Sequence, residues 1–125
     1  MKSRDLASQT SDILDEEAED IFLMTNLSPR MTGLPMSVWA SPRGNARHDV
    51  RIKVNMTHGT GMNIDNTAVV TVRPSPSVIA GRLISDDQRI VAEWIALNHE
   101  AIVSYSNEEL DTGEFVERLR SLPKT

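Results

Sequence analysis

The apolar residues of this chain change their period once, near residue 84, and that change limits the fold more than any other feature. Ahead of it, in "ARHDVRIKVN" (46–55), His48, Val50, Ile52 and Val54 alternate with Arg47, Asp49, Arg51 and Lys53. Successive side chains of a strand point to opposite faces, so the pattern predicts a half-buried strand with a charged outer row. "TAVVTVR" (67–73) repeats it, with Ala68, Val70 and Val72 set against Val69, Thr71 and Arg73. "MSVWA" (36–40) reads as a further strand ending at "SPRGN", where Pro42 and Gly44 form a reversal. "PSPSVIAGRL" (74–83) holds only a short extended piece, because Pro74 and Pro76 cannot donate to a ladder.

Beyond the change, in "SDDQRIVAEWIALNHEAIVSY" (85–105), Ile90, Val91, Trp94, Ile95, Leu97, Ala101, Ile102 and Tyr105 recur three or four residues apart. That is the apolar stripe of one long helix, with Trp94 as its central anchor. Ser85 and Gln88 have the spacing of a capping box, and Asp86 and Asp87 suit the positive end of the helix dipole. Asp111 and Glu114 open a shorter helix that carries Phe115, Val116 and Leu119 and stops before Pro123. The predicted class is α+β: a small antiparallel sheet of three to four strands with two C-terminal helices packed on one face.

With 125 residues, one domain is expected, spanning 21–125. Residues 1–20 are polar and acidic, with too little apolar surface at Ile13 and Leu14 to dock a helix, and read as a flexible tail. "TNLSPRMTGLP" (25–35) and "MTHGTGMNIDN" (56–66) read as loops. With no cysteine there is no disulfide framework, thiol nucleophile or thiolate metal site. No apolar run reaches the roughly 18 residues of a membrane span, and the N-terminus lacks a signal-peptide core. A cytoplasmic location away from membranes is the expectation.

Net charge is −5, but it is unevenly spread. Residues 1–29 carry two basic and seven acidic side chains, residues 30–82 seven and two, and residues 83–125 four and nine. The middle segment is therefore basic between two acidic ones. Arg43, Arg47, Arg51 and Lys53 share odd parity along one strand, and Arg73 joins them from the next. A cationic sheet face of this kind binds RNA, DNA or an acidic protein. Outward charges are also an ordinary solubility device, and only Trp39 lies near for base stacking.

Catalytic patterns are sparse. His48 sits on the apolar face of its strand and is first a structural histidine, with a base or ligand role secondary. His58 lies in a glycine-bearing loop and His99 follows Asn98; none of the three has the spacing of a metal motif, so neither metal nor cofactor is expected. "HGTGMN" lacks the third glycine, the lysine and the following helix of a phosphate loop. Glu93 and Glu100 fall seven apart on a similar face of the long helix, and a carboxylate pair and two solvated helix charges explain them equally well. No catalytic residue is assigned; a hydrolase or nuclease using His48 is the least supported class.

From "RHDVRIKV" through "VIAGRL" to "IVAEWIALNHEAIVSY" and "RLRSLP", the chain resembles a widespread family of small bacterial proteins whose domain has no assigned function. The matching positions are His48, Val50, Val54, Gly81, Leu83, Glu93, Trp94, Leu97, Asn98 and Leu122–Pro123. Where that family commonly has a second histidine this chain has Val50 or Ile52, and Tyr105 followed by Ser106 stands near its late tryptophan. The resemblance implies the same α+β fold and a setting in toxin–antitoxin-like gene pairs. The functional expectation is a non-enzymatic interaction module with a protein partner; the alternative is nucleic-acid binding by the basic row, and self-association stays open.

Overall fold

The computed structural model describes residues 24–40 and 49–123. Among them, β1 (Thr25–Leu27), β2 (Val38–Ala40), β3 (Arg51–Asn55), β4 (Thr67–Thr71) and β5 (Ser77–Ala80) pair in chain order into one antiparallel sheet. A helical turn, α1 (Pro29–Thr32), lies between β1 and β2, and α2 (Ser85–Leu97), α3 (His99–Ser106) and α4 (Thr112–Arg118) follow the sheet. The class is α+β, with C-terminal helices after the sheet. The acidic tail expected over 1–20 and the residues Arg43, Arg47 and His48 lie outside the described residues.

Two of the five strands lie where the sequence predicts a loop or a short extended piece. β1 is three residues long, and it is fixed by pairing Leu27 with Val38 rather than by any alternation of its own. The loop signals beside it belong to α1: Pro29 occupies the first turn, and Gly33 ends the turn at φ 80°, donating its N–H to Pro29 O. A side chain at 33 would also collide with the chain end, since a Cβ there would sit 2.7 Å from Leu122 O. Leu122 donates its own N–H to Thr32 O at 2.8 Å.

The long helix breaks at Asn98, so three helices follow the sheet rather than two. Asn98 leaves helical geometry at φ −111°, ψ 18°, and its side chain bonds on two sides. Nδ2 donates to Trp94 O at 3.1 Å and to Arg120 O at 3.0 Å, and Oδ1 accepts from Arg120 N at 2.7 Å. A short amide side chain that competes for backbone groups interrupts a helix whose apolar stripe runs straight on. Glu93 and Glu100 therefore fall on two helices, and Glu93 pairs with Arg89 at 3.3 Å. The box at Asp111 and Glu114 forms both of its bonds. The one predicted at Ser85 does not: Ile84 is the N-cap, and Gln88 donates to Leu83 O instead.

The register settles which residues share a face. Val38 pairs with Val54 and Val54 with Ala68; Ala40 pairs with Ile52 and Ile52 with Val70. These join Val91, Trp94, Ile95, Ile102, Tyr105 and Phe115 of the helices in one buried cluster. Tyr105 stacks on Phe115 with ring centroids 4.1 Å apart, and its hydroxyl bonds to Thr112 Oγ1 and Thr25 Oγ1, tying α3 to α4 and to β1. Gly81, at φ 76°, ends β5 where a Cβ would lie 2.7 Å from Ala68 Cα, so this turn presses directly on β4.

Candidate functional site

Three places invite a functional reading, and the basic row is the first. The alternation predicted for β3 holds, but its outer side is not an open cationic face. Trp39 pairs with Lys53 and Lys53 with Val69 across the three central strands, and Lys53 is 1% exposed. This departs from the outward position expected of Lys53, because the centre of that face is itself buried. Arg51 is half-buried. Arg73 is exposed but grips Asp49 through both Nε and Nη2. That bidentate bond holds the Asp49 carboxyl below its usual value and raises the Arg73 guanidinium. Of the five basic residues assigned to the row, the described ones are thus one buried, one half-buried and one bridged to a carboxylate, while Arg43 and Arg47 lie outside the described residues.

The second place is a histidine–carboxylate pair with no motif spacing to announce it. His58 Nε2 lies 2.9 Å and 3.0 Å from the two oxygens of Asp87, 29 residues apart in sequence. The loop of residues 56–66 brings His58 there. Gly59 N–H donates to Pro35 O at 2.8 Å, Asn66 Nδ2 donates to Thr57 Oγ1 at 2.7 Å, and the side chain of Asn55 spans Thr57 and Asn63. Asp87 is buried in the first turn of α2, where the helix dipole favours its charge. A carboxylate orienting an imidazole is one half of a general-base arrangement. Among the described residues no hydroxyl bonds to this histidine and no cluster of three or more His, Asp or Glu side chains could hold a metal ion. The pair pins the loop to α2.

The third place is the far edge of the sheet. β5 is terminal in the strand order, so its outer backbone groups face no other described strand. Alongside it, between β5 and the start of α2, lies a groove of about 330 Å³. Its apolar wall is Val70, Pro76, Val78, Leu83, Val91 and Ala92, and its rim is Ser77, Ser85, Gln88 and Arg89. The two most exposed large apolar side chains among the described residues are Ile79 on β5, 48% exposed, and Ile84 at the N-cap of α2, 66% exposed; neither lines the groove itself. A wider polar groove of about 590 Å³ at the α2–α3 junction mixes His99, Arg118 and Arg120 with Glu100, and Asn98 within it is already committed to the backbone.

Sequence reasoning missed both the His58–Asp87 pair and the β5 groove. Their residues are brought together by the sheet order and the helix return, and neither leaves a local pattern. No family model, curated protein or solved structure matches this chain.

Proposed function

We propose that this chain is a non-enzymatic interaction module that receives an extended segment of a protein partner along β5, as one member of a regulatory or toxin–antitoxin-like pair. The observation that carries the reading is the combination of an outer strand edge with an apolar groove beside it. An edge strand presents a row of backbone donors and acceptors that another strand can complete. Such strand addition draws affinity from the main chain and specificity from pockets for alternate side chains. Ile79 on β5 and Ile84 at the N-cap of α2 are both exposed, and Arg89, exposed in the groove's rim and paired with Glu93, and the exposed Arg82 beside Leu83 bring basic side chains to this end of the sheet. The partner segment is accordingly extended, apolar at alternate positions and acidic between them.

The competing reading, RNA or DNA on the basic row, draws less support from a buried Lys53 and an Arg73 bridged to Asp49. Co-purification from the native host, comparing wild type, Arg51→Gln and the double variant Ile79→Lys/Ile84→Lys, tests the proposal. Both isoleucines are exposed, so the double variant keeps the wild-type far-ultraviolet circular dichroism. One protein retained by wild type and by Arg51→Gln, and lost from the double variant, is the expected result. Retention by the double variant overturns the β5 assignment. Binding of mixed RNA or DNA at low salt, falling steeply as salt rises, supports the nucleic-acid reading instead.

A further inference from the structure

The polar groove where α2 meets α3 gathers cationic groups that the fold itself does not use. Residues 83–125 carry nine acidic side chains and four basic ones, so an arginine there has carboxylates to choose from. Arg89 takes Glu93, at 3.3 Å. Arg118 and Arg120, which line the groove together, take none: among the described residues no ion pair or hydrogen bond reaches either guanidinium. Glu100 lines the same groove without pairing to them, and His99 brings an imidazole N–H, a donor in either protonation state.

The two arginines start from fixed backbone. Arg118 stands in the last turn of α4, which is anchored in the core by the fully buried Phe115. The main chain of Arg120 is clamped by the amide of Asn98, itself 3% exposed, with Oδ1 accepting from its N–H at 2.7 Å and Nδ2 donating to its carbonyl at 3.0 Å. Two residues further on, Leu122 N–H is held by Thr32 O at 2.8 Å. Pre-set stems lose less freedom when their heads close on a ligand. Another part of the lining is apolar: Leu97, 39% exposed, with Ala96 and Ala101. At about 590 Å³ the groove has the size of a small-molecule site.

Guanidinium groups bind phosphate through paired N–H donors, and two of them match a dianion. The carboxylate of Glu100 disfavours a second anionic group on the same ligand. We propose that this groove binds a small organic phosphate monoester, with the phosphoryl group on Arg118 and Arg120 and the carbon body over Leu97. The site shares no lining residue with the β5 groove and stands independently of the strand-addition reading.

Phenyl phosphate and inorganic phosphate, each titrated into the isotope-labelled full-length chain, test this by nuclear magnetic resonance. Sodium chloride at matched ionic strength is the reference for simple screening. Saturable shifts should appear at the Nε–H signals of Arg118 and Arg120 and at the amides of His99 and Ser104, with phenyl phosphate the tighter ligand. Arg118→Gln/Arg120→Gln should weaken phenyl phosphate roughly tenfold or more, the effect of losing charge-assisted bonds. Both side chains are exposed, so the far-ultraviolet circular dichroism should not change. Arg118→Gln alone, which leaves the Asn98–Arg120 clamp intact, should lose part of the affinity at an unchanged urea midpoint. Shifts that do not saturate, that sodium chloride reproduces, or that persist unweakened in both variants overturn the site. Equal affinity for the two probes overturns the organic ester and leaves an adventitious ion only.

Discussion

Replacing Trp94 by alanine and by phenylalanine separates two effects that its burial combines. The side chain is 0% exposed, and it lies in the cluster where α2 meets the sheet. Truncation to alanine removes that contact surface and leaves a cavity, at a cost of roughly 3–5 kcal/mol. Against a typical stability of about 5–15 kcal/mol, this is enough to leave the domain marginal. The indole Nε1 is buried without a hydrogen-bond acceptor, and an unsatisfied buried donor costs about 1–3 kcal/mol. Phenylalanine deletes that donor. It also removes roughly 40 Å³, worth about 1 kcal/mol at about 24 cal/mol per Å³. The two terms offset each other, so Trp94→Phe should lie within about 1 kcal/mol of wild type, on either side. Urea unfolding followed by far-ultraviolet circular dichroism measures both variants without relying on tryptophan emission. A Trp94→Phe loss as large as that of Trp94→Ala refutes the argument, since it means the indole N–H contributes a bond. A normal midpoint for Trp94→Ala refutes the anchor role itself.

Asn98→Ala deletes bonds to Trp94 O, Arg120 O and Arg120 N and should cost about 1–3 kcal/mol in the same urea assay; amide exchange should quicken at Arg120 and Leu122 and remain slow in β3. Arg73→Gln should return the Asp49 carboxyl upward, toward its ordinary value of 3.8, in a carbon-detected titration. Because the native carboxyl is held below its unfolded value, the bond stabilises the fold at pH above that value and is lost as pH falls through the native one. The wild-type advantage over Arg73→Gln should therefore be present at neutral pH and vanish in acid; an advantage that grows in acid contradicts the assignment.

Much of the architecture is legible because it follows from local periodicity. Ile52 and Val54 alternate with charges, and that alone places β3. Asp111 and Glu114 form the box their spacing announces. The elements that were not legible depend on partners remote in sequence. Thr25–Leu27 has no pattern of its own and becomes a strand by pairing with Val38–Ala40. Ser77–Ala80 sits behind two prolines, yet pairs with β4 across a bulge between Val69 and Val70. Asn98 looks like an ordinary polar residue on a helix until Arg120, 22 residues away, occupies its amide. The same holds for His58 and Asp87, whose contact no spacing encodes.

The misplacement of Lys53 has a more general cause. Alternation tells which residues share a face, but it does not tell which face is covered or by what. A charged row opposite a valine row reads as solvent-facing whenever the sheet is taken to have a single cover. β3 is the central strand of five, so Lys53 is flanked on both sides, by Trp39 and by Val69. Those two apolar neighbours are the signal that was present in the sequence, since a tryptophan and a valine beside one lysine describe a second dry layer.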